Sequence, residues 1–200
     1  SDDSGERSSD SKASAATTTP ATTAGTTAAT TGATTADTEA TATSDSPVPT
    51  GTGWTVLVYS IADTDLEPFL LDDVGEMGSV GSGPNLNIVA FVDRATDYST
   101  DGVLGLPDWT GGKLLHITKN SAEVMADTGP IDTGDPAVLA DFISAGIRAY
   151  PAAHYSLIIS DHGASWPGVG GDESADHDGL TLAELNQGIA AGLKGVGLDK

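Results

Sequence analysis

Three short runs along the chain are almost wholly apolar and rich in β-branched residues: Trp54 to Ile61 (WTVLVYSI), Leu86 to Val92 (LNIVAFV) and His154 to Ser160 (HYSLIIS). Runs of this length without polar alternation suit strands covered on both faces, because neither side of such a strand meets water. Between the first two, Leu66, Leu70, Val74 and Met77 recur at spacings of three and four, with Asp and Glu on the other side. That period predicts an amphipathic helix from Leu66 to Val80, with Asp63 or Asp65 as its cap. Asp135-Pro136 opens a second periodic stretch, DPAVLADFISAGIRAY, in which Val138, Leu139, Phe142, Ile143 and Ile147 share one stripe. Asp at the cap and Pro at the first helical position is a favourable start, since the N–H that proline lacks is one the first turn leaves unpaired anyway. Pro151 ends that helix. A third helix is expected from Thr181 to Leu193, with Leu182, Leu185 and Ile189 facing inward and Thr181 and Glu184 resembling a capping box.

The order strand, helix, strand, helix, strand, helix implies right-handed crossovers and an α/β fold, with a mostly parallel sheet flanked by helices on both faces. Gly111 to Lys119 (GGKLLHITK) interrupts that order and reads as a strand of a small hairpin off the main sheet.

Composition shortens the folded part. Ser1 to Gly53 contains no aromatic residue, no Leu, Ile or Met, and only Val48 as a sizeable aliphatic. Such a Thr/Ala/Ser-rich segment cannot bury enough apolar surface to offset its ordering entropy, so residues 1–53 read as a disordered linker and the domain as 54–200. Formal charge is -21, and Trp54 to Lys200 alone holds 22 Asp plus Glu against 6 Lys plus Arg. That balance excludes nucleic acid and anionic membrane as natural partners and suits a cationic substrate or Ca²⁺, although it also serves solubility alone. The chain has no cysteine, hence neither disulfide nor thiolate chemistry of its own. No stretch reaches the roughly 18 apolar residues of a membrane span. A Thr/Ala/Ser/Pro stalk ahead of a compact domain points to an exported protein, extracellular or anchored at the cell surface.

Candidate chemistry gathers after the third apolar run, at Asp161-His162-Gly163. In open α/β sheets ligands collect at the carboxyl ends of strands, and an imidazole there is held by rigid backbone yet tips into solvent, as a general acid/base requires. Gly163 leaves its backbone uncovered, so its N–H can approach a developing oxyanion. The plainer reading makes His162 a surface or capping histidine, Asp-His-Gly a turn and Trp166 a lid over the core. Asp161 precedes His162 and is expected on the opposite face, so it is not assigned as the acid that orients the ring. Further on, Asp172, Glu173, Asp176, His177 and Asp178 form an acidic loop that could hold Ca²⁺, or a transition metal with His162, or simply be solvated. The twelve-residue EF-hand pattern is absent.

In order and spacing, the segments WTVLVYSIADTDLE, LDDVGEMGSV, LNIVAFVDR, TGDPAVLADFISAGIRAYPAAHYSLIISDHGASWPG and LTLAELNQGI resemble the amino-terminal half of the clostripain family of cysteine endopeptidases. The likeness covers essentially Trp54 to Lys200. It implies a caspase-like fold, incomplete at its carboxyl end, with His-Gly after one strand and an Ala-Cys pair after the next. His162 would then activate the cysteine and protonate the leaving amine, and the Gly163 amide would help hold the oxyanion. The implied substrate is a polypeptide with a basic P1 residue, cleaved after Arg or Lys. No cofactor is required; Ca²⁺ is an addition in some members, here with Asp172, Glu173, Asp176 and Asp178 as candidate ligands.

The departure from the family is the missing nucleophile: GLKGVGLDK looks like the lead into the strand that should present it, and the cysteine would belong to a remaining C-terminal part of the same protein. A fragment, a cut between His and Cys after Lys200, and a pseudoenzyme each account for this. The stretch after the first strand, usually Asn-rich, reads Ile61-Ala62-Asp63-Thr64-Asp65, while Glu76 and Met77 match a family helix as structural positions. Two other classes compete with the peptidase: a non-catalytic exported surface module that binds cations or a partner, and a metal-dependent hydrolase built on His162, His177 and the aspartates.

Overall fold

The computed structural model describes residues 50–198. Most of the expected linker, residues 1–49, lies outside the described residues. The chain already packs before Trp54: a side chain at Gly51 would meet the Pro151 carbonyl at 2.0 Å, and the Gly53 carbonyl accepts from the His154 N–H at 3.1 Å.

In chain order the elements are β1 (Trp54–Ala62), α1 (Glu67–Val80), β2 (Leu86–Arg94), β3 (Gly111–Thr118), β4 (Ser121–Gly129), α2 (Pro136–Ala149), β5 (His154–Ser160), β6 (Gly168–Asp172), β7 (Asp178–Thr181) and α3 (Leu182–Lys194). A five-stranded sheet runs β4-β3-β2-β1-β5, and β6 and β7 form a separate antiparallel pair. β1 pairs in parallel with both β2 and β5, whereas β2 to β3 and β3 to β4 are antiparallel. The sheet is therefore mixed. The segment expected as a hairpin off the main sheet instead extends it, because β3 carries apolar residues to both faces: Leu114 joins one core, and Leu115 and Ile117 the other.

Side-chain alternation sorts the strands onto those two cores. Leu57, Tyr59 and Ile61 of β1, with Val89 and Phe91 of β2, face α2 and α3. Val58 and Ala62, with Ile88, Ala90 and Val92, face α1. Tyr59, Phe91 and Phe142 meet with ring centroids 5.5 to 6.0 Å apart, and each such pair adds about 0.5–1.5 kcal/mol beyond its burial.

Helix starts follow the sequence where a side chain is free to cap. Asp135 accepts from the Ala137 N–H with Pro136 behind it, and Thr181 and Glu184 form the complete capping box. At α1 the expected cap fails: Leu66 occupies the cap position without a side-chain bond, and the Thr64 hydroxyl accepts the Leu66 N–H instead. Asp63 and Asp65 have been drawn elsewhere. Leu182, expected inward, is 55% exposed, while Leu185 and Ile189 pack on the core. Part of GLKGVGLDK is still helical, since α3 runs to Lys194. Among the described residues no helix is long and apolar enough to cross a membrane.

The two ends of the five-stranded sheet differ. On β4, Ser121, Glu123, Asp127 and Thr128 are exposed, and its register with β3 shifts twice. On β5, Ile158 is 46% exposed and the register with β1 is unbroken from His154 to Ser160.

Candidate functional site

β5 ends at Ser160, and the chain leaves the sheet at the carboxyl rim carrying Asp161 and His162. Tyr155, Leu157 and Ile159 turn toward α2 and α3, so alternation directs His162 to the α1 side. There it meets the loop between β1 and α1: the His162 ring Nε2 lies 2.7 Å from Asp65 Oδ1, both side chains being more than half exposed. The hydrogen bond to Asp65 raises the imidazole pKa above its usual value, with the charges of Asp161, Asp65 and Glu173 acting in the same direction. A carboxylate accepting at Nε2 places the proton of the neutral ring there and leaves Nδ1 as the lone-pair nitrogen. Asp161, expected to point away from the ring, accepts from the Thr64 hydroxyl at 3.1 Å.

Beyond His162 the chain turns back as β6. The Gly170 N–H donates to the His162 carbonyl and the Ala164 N–H to the Gly168 carbonyl, each at 3.0 Å, and Gly163 sits opposite Val169 in the bridge between them. Gly163 is thus at a position whose own N–H points away from the pairing, and a Cβ there would meet nothing within 4 Å. Trp166, a candidate lid, is instead 82% exposed and covers no core.

The acidic loop disperses. Asp172 turns inward: Oδ2 accepts from the Thr133 N–H and hydroxyl at 2.8 Å, and Oδ1 from the Ser174 hydroxyl and Ala175 N–H. Glu173 accepts from the Tyr98 hydroxyl at 2.7 Å, and Asp178 from the next N–H in the chain. Asp176 and His177 have left-handed backbone, with φ of 58° and 60°.

The group that Asp172 joins lies outside its own loop. One ligand atom each from Asp63, Asp93 and Asp172 lies within 4.8 Å of the others, and these residues form the one such group of three or more His, Asp or Glu among the described residues. All three are buried, at 5%, 1% and 0% exposure. Both Asp93 oxygens lack a hydrogen-bond partner. Burial, then the charges of Asp172 and Asp63, push its pKa up to about 8. Burial also raises Asp63, against hydrogen bonds from Ser174. The available signal was parity: Asp63 and Asp93 continue the core-facing series Tyr59-Ile61 and Val89-Phe91.

A mixed five-stranded sheet flanked by helices, with a histidine and a glycine at the carboxyl end of an edge parallel strand, is the caspase-like α/β arrangement that the resemblance implies. The sequence model described as Clostripain family matches residues 58–198. The chain belongs to the clostripain family. It is 29% identical over 158 residues to clostripain of Hathewaya histolytica, an alignment covering 66% of this chain and 30% of that protein. The chain thus spans less than a third of the length of this curated relative. A secreted C11 cysteine protease from Bacteroides thetaiotaomicron in complex with an irreversible peptide inhibitor shares the fold at TM-score 0.55 and 22% identity, over 70% of this chain and 39% of that one. A second structure of a secreted C11 cysteine protease from Bacteroides thetaiotaomicron, "iotapain", gives TM-score 0.52 and 16% identity, over 72% and 43%.

Proposed function

We propose that this chain is the histidine-bearing part of an exported cysteine endopeptidase that cleaves polypeptides after Arg or Lys. The observation that carries this reading is the pairing of His162 Nε2 with Asp65, which leaves Nδ1 free, with Gly163 next in the chain and its N–H turned away from the bridge to Val169. In the proposed reaction Nδ1 takes the thiol proton, the thiolate attacks the scissile carbonyl, and the Gly163 N–H donates to the oxygen as negative charge develops on it. The proton then passes from the imidazolium to the leaving amine. The 200 residues contain no cysteine, so the thiol comes from a remaining part of the same protein and the chain alone is inactive toward peptides. An acidic surface around the rim favours approach of basic side chains.

The test is hydrolysis of Arg and Lys peptide amides by the protein carrying its complete sequence, with and without His162→Ala. Loss of at least a thousandfold in kcat/KM supports the assignment; equal rates refute it.

A further inference from the structure

We propose that Thr64 and Asp161 are positioning residues: the hydrogen bond between them clamps the loop after β1 to the segment after β5, and this clamp holds Asp65 against His162.

Two side-chain contacts join those segments. The outer one, His162 Nε2 to Asp65 Oδ1, lies between side chains that are 56% and 65% exposed. An ion pair in water gains little, is screened by salt and gives up side-chain freedom, so it does not fix its own geometry. The inner contact is sheltered: Thr64 is 3% exposed, and its hydroxyl donates to Asp161 Oδ1 at 3.1 Å. A hydrogen bond to a carboxylate out of water is stronger than the same bond in solvent. Thr64 precedes Asp65 and Asp161 precedes His162, so the inner bond sets the register in which the outer pair meets.

The Thr64 hydroxyl serves as donor and acceptor at once. Its proton goes to Asp161, and its oxygen accepts the Leu66 N–H at 3.2 Å, while the Thr64 carbonyl accepts the Glu67 N–H at 3.0 Å. The residue therefore ties the first turn of α1, and with it Asp65, to Asp161. Asp161 has few other partners. Its Oδ2 is buried and accepts no hydrogen bond; burial raises the pKa of the carboxyl, and the His162 N–H and the Thr64 hydroxyl act against that rise. A carboxylate with one oxygen orphaned depends on the donors that remain. Backbone bonds to the β6 hairpin support each segment without joining the two: the Gly170 N–H donates to the His162 carbonyl and the Glu173 N–H to the Asp63 carbonyl, each at 3.0 Å.

A threonine that only capped α1 would need no acid across the rim. The bond to Asp161 gives Thr64 a second task, and it gives the acid of the Asp-His-Gly segment a part other than orienting the ring directly. The catalytic consequence rests on the peptidase reading; the clamp itself needs neither thiol nor substrate.

The experiment compares Thr64→Val, which removes the hydroxyl and keeps the shape, with Thr64→Ser, which retains it, in the protein carrying its complete sequence. Two properties are read: the His162 pKa, from imidazole NMR shifts against pH, and kcat and KM for Arg and Lys peptide amides. In Thr64→Val the His162 pKa is expected to fall as in Asp65→Asn, although both carboxylates are still present, and kcat to fall at least tenfold with KM within threefold. Thr64→Ser is expected to keep the pKa and at least half of the parent kcat. Thr64→Val/Asp161→Ala should be within threefold of the slower single variant, since the two substitutions remove one contact. A Thr64→Val protein with the parent pKa and kcat overturns the proposal even at a lower Tm, because the hydroxyl then serves stability alone. A double variant whose loss is the product of the single losses overturns it too. Should Thr64→Val not fold, Thr64→Ala is read in its place. A parent without peptidase activity refutes the peptidase reading and leaves the NMR comparison to decide the clamp.

Discussion

His162 Nε2 and Asp65 Oδ1 stand 2.7 Å apart although 97 positions separate them in the chain. The contact exists because β1 and β5 are parallel neighbours, so their carboxyl ends release two loops at the same rim. Asp65→Asn removes the charge and keeps the shape. The His162 pKa, raised in the parent by Asp65, is expected to fall toward the ordinary value near 6.5, read from imidazole NMR shifts against pH. A raised histidine pKa means the pair's contribution to stability is complete below the unfolded value and lost as pH rises through the folded one. Both groups are exposed, so that contribution is small and shrinks with salt.

Arg94 and Glu67 make the opposite kind of pair, both fully buried, with Nε to Oε1 at 2.6 Å. The guanidinium also donates to the Asp101 and Ser99 carbonyls, pairs with Asp108, and lies 4.7 Å over the Trp109 ring. Glu67→Ala leaves a buried cation without its buried carboxylate, with only the half-exposed Asp108 remaining, and is expected to cost about 3–5 kcal/mol by urea denaturation. A loss below about 1 kcal/mol would mean that the loop from Ser99 to Asp108 alone holds Arg94.

Two helical glycines should respond with opposite signs. A Cβ at Gly192 of α3 meets Ile143 Cβ at 2.8 Å and the Ala140 carbonyl at 3.0 Å, so Gly192→Ala forces α2 and α3 apart. Overpacking of that kind costs about 1–3 kcal/mol, more than the gain of up to about 1 kcal/mol from helix propensity. At Gly75 of α1 nothing lies within 4 Å, so Gly75→Ala keeps that gain. Thermal unfolding of the two variants should place their Tm values on either side of the parent.

Thr181→Ala removes the side chain that accepts from the Glu184 N–H and donates to Glu184 Oε2. A loss of about 1 kcal/mol is expected. Hydrogen exchange should show it as earlier opening of the first turn of α3.

What the sequence disclosed follows the range of the forces involved. β5 could be read to the residue and α2 from its Asp-Pro start, because apolar runs and caps are local signals. The attachment of β3 to β2 was missed because it depends on pairing partners such as Leu115 with Ala90, distant in the chain. His162 and Gly163 were singled out by their place after a strand; Asp65 was read as a helix cap, a role it loses because the imidazole competes for the same carboxylate. Asp93 drew no attention since Asp at a strand end is ordinarily solvated, whereas here it is buried beside Asp63 and Asp172.

The unequal borders of the main sheet have a last consequence. β4 carries the devices that discourage further pairing, outward charges and breaks in register, whereas β5 has no Asp, Glu, Lys or Arg, keeps an unbroken register and exposes Ile158. Among the described residues the β5 border is therefore the one open to a further strand, and the carboxyl end of a strand parallel to β5 would emerge next to the imidazole.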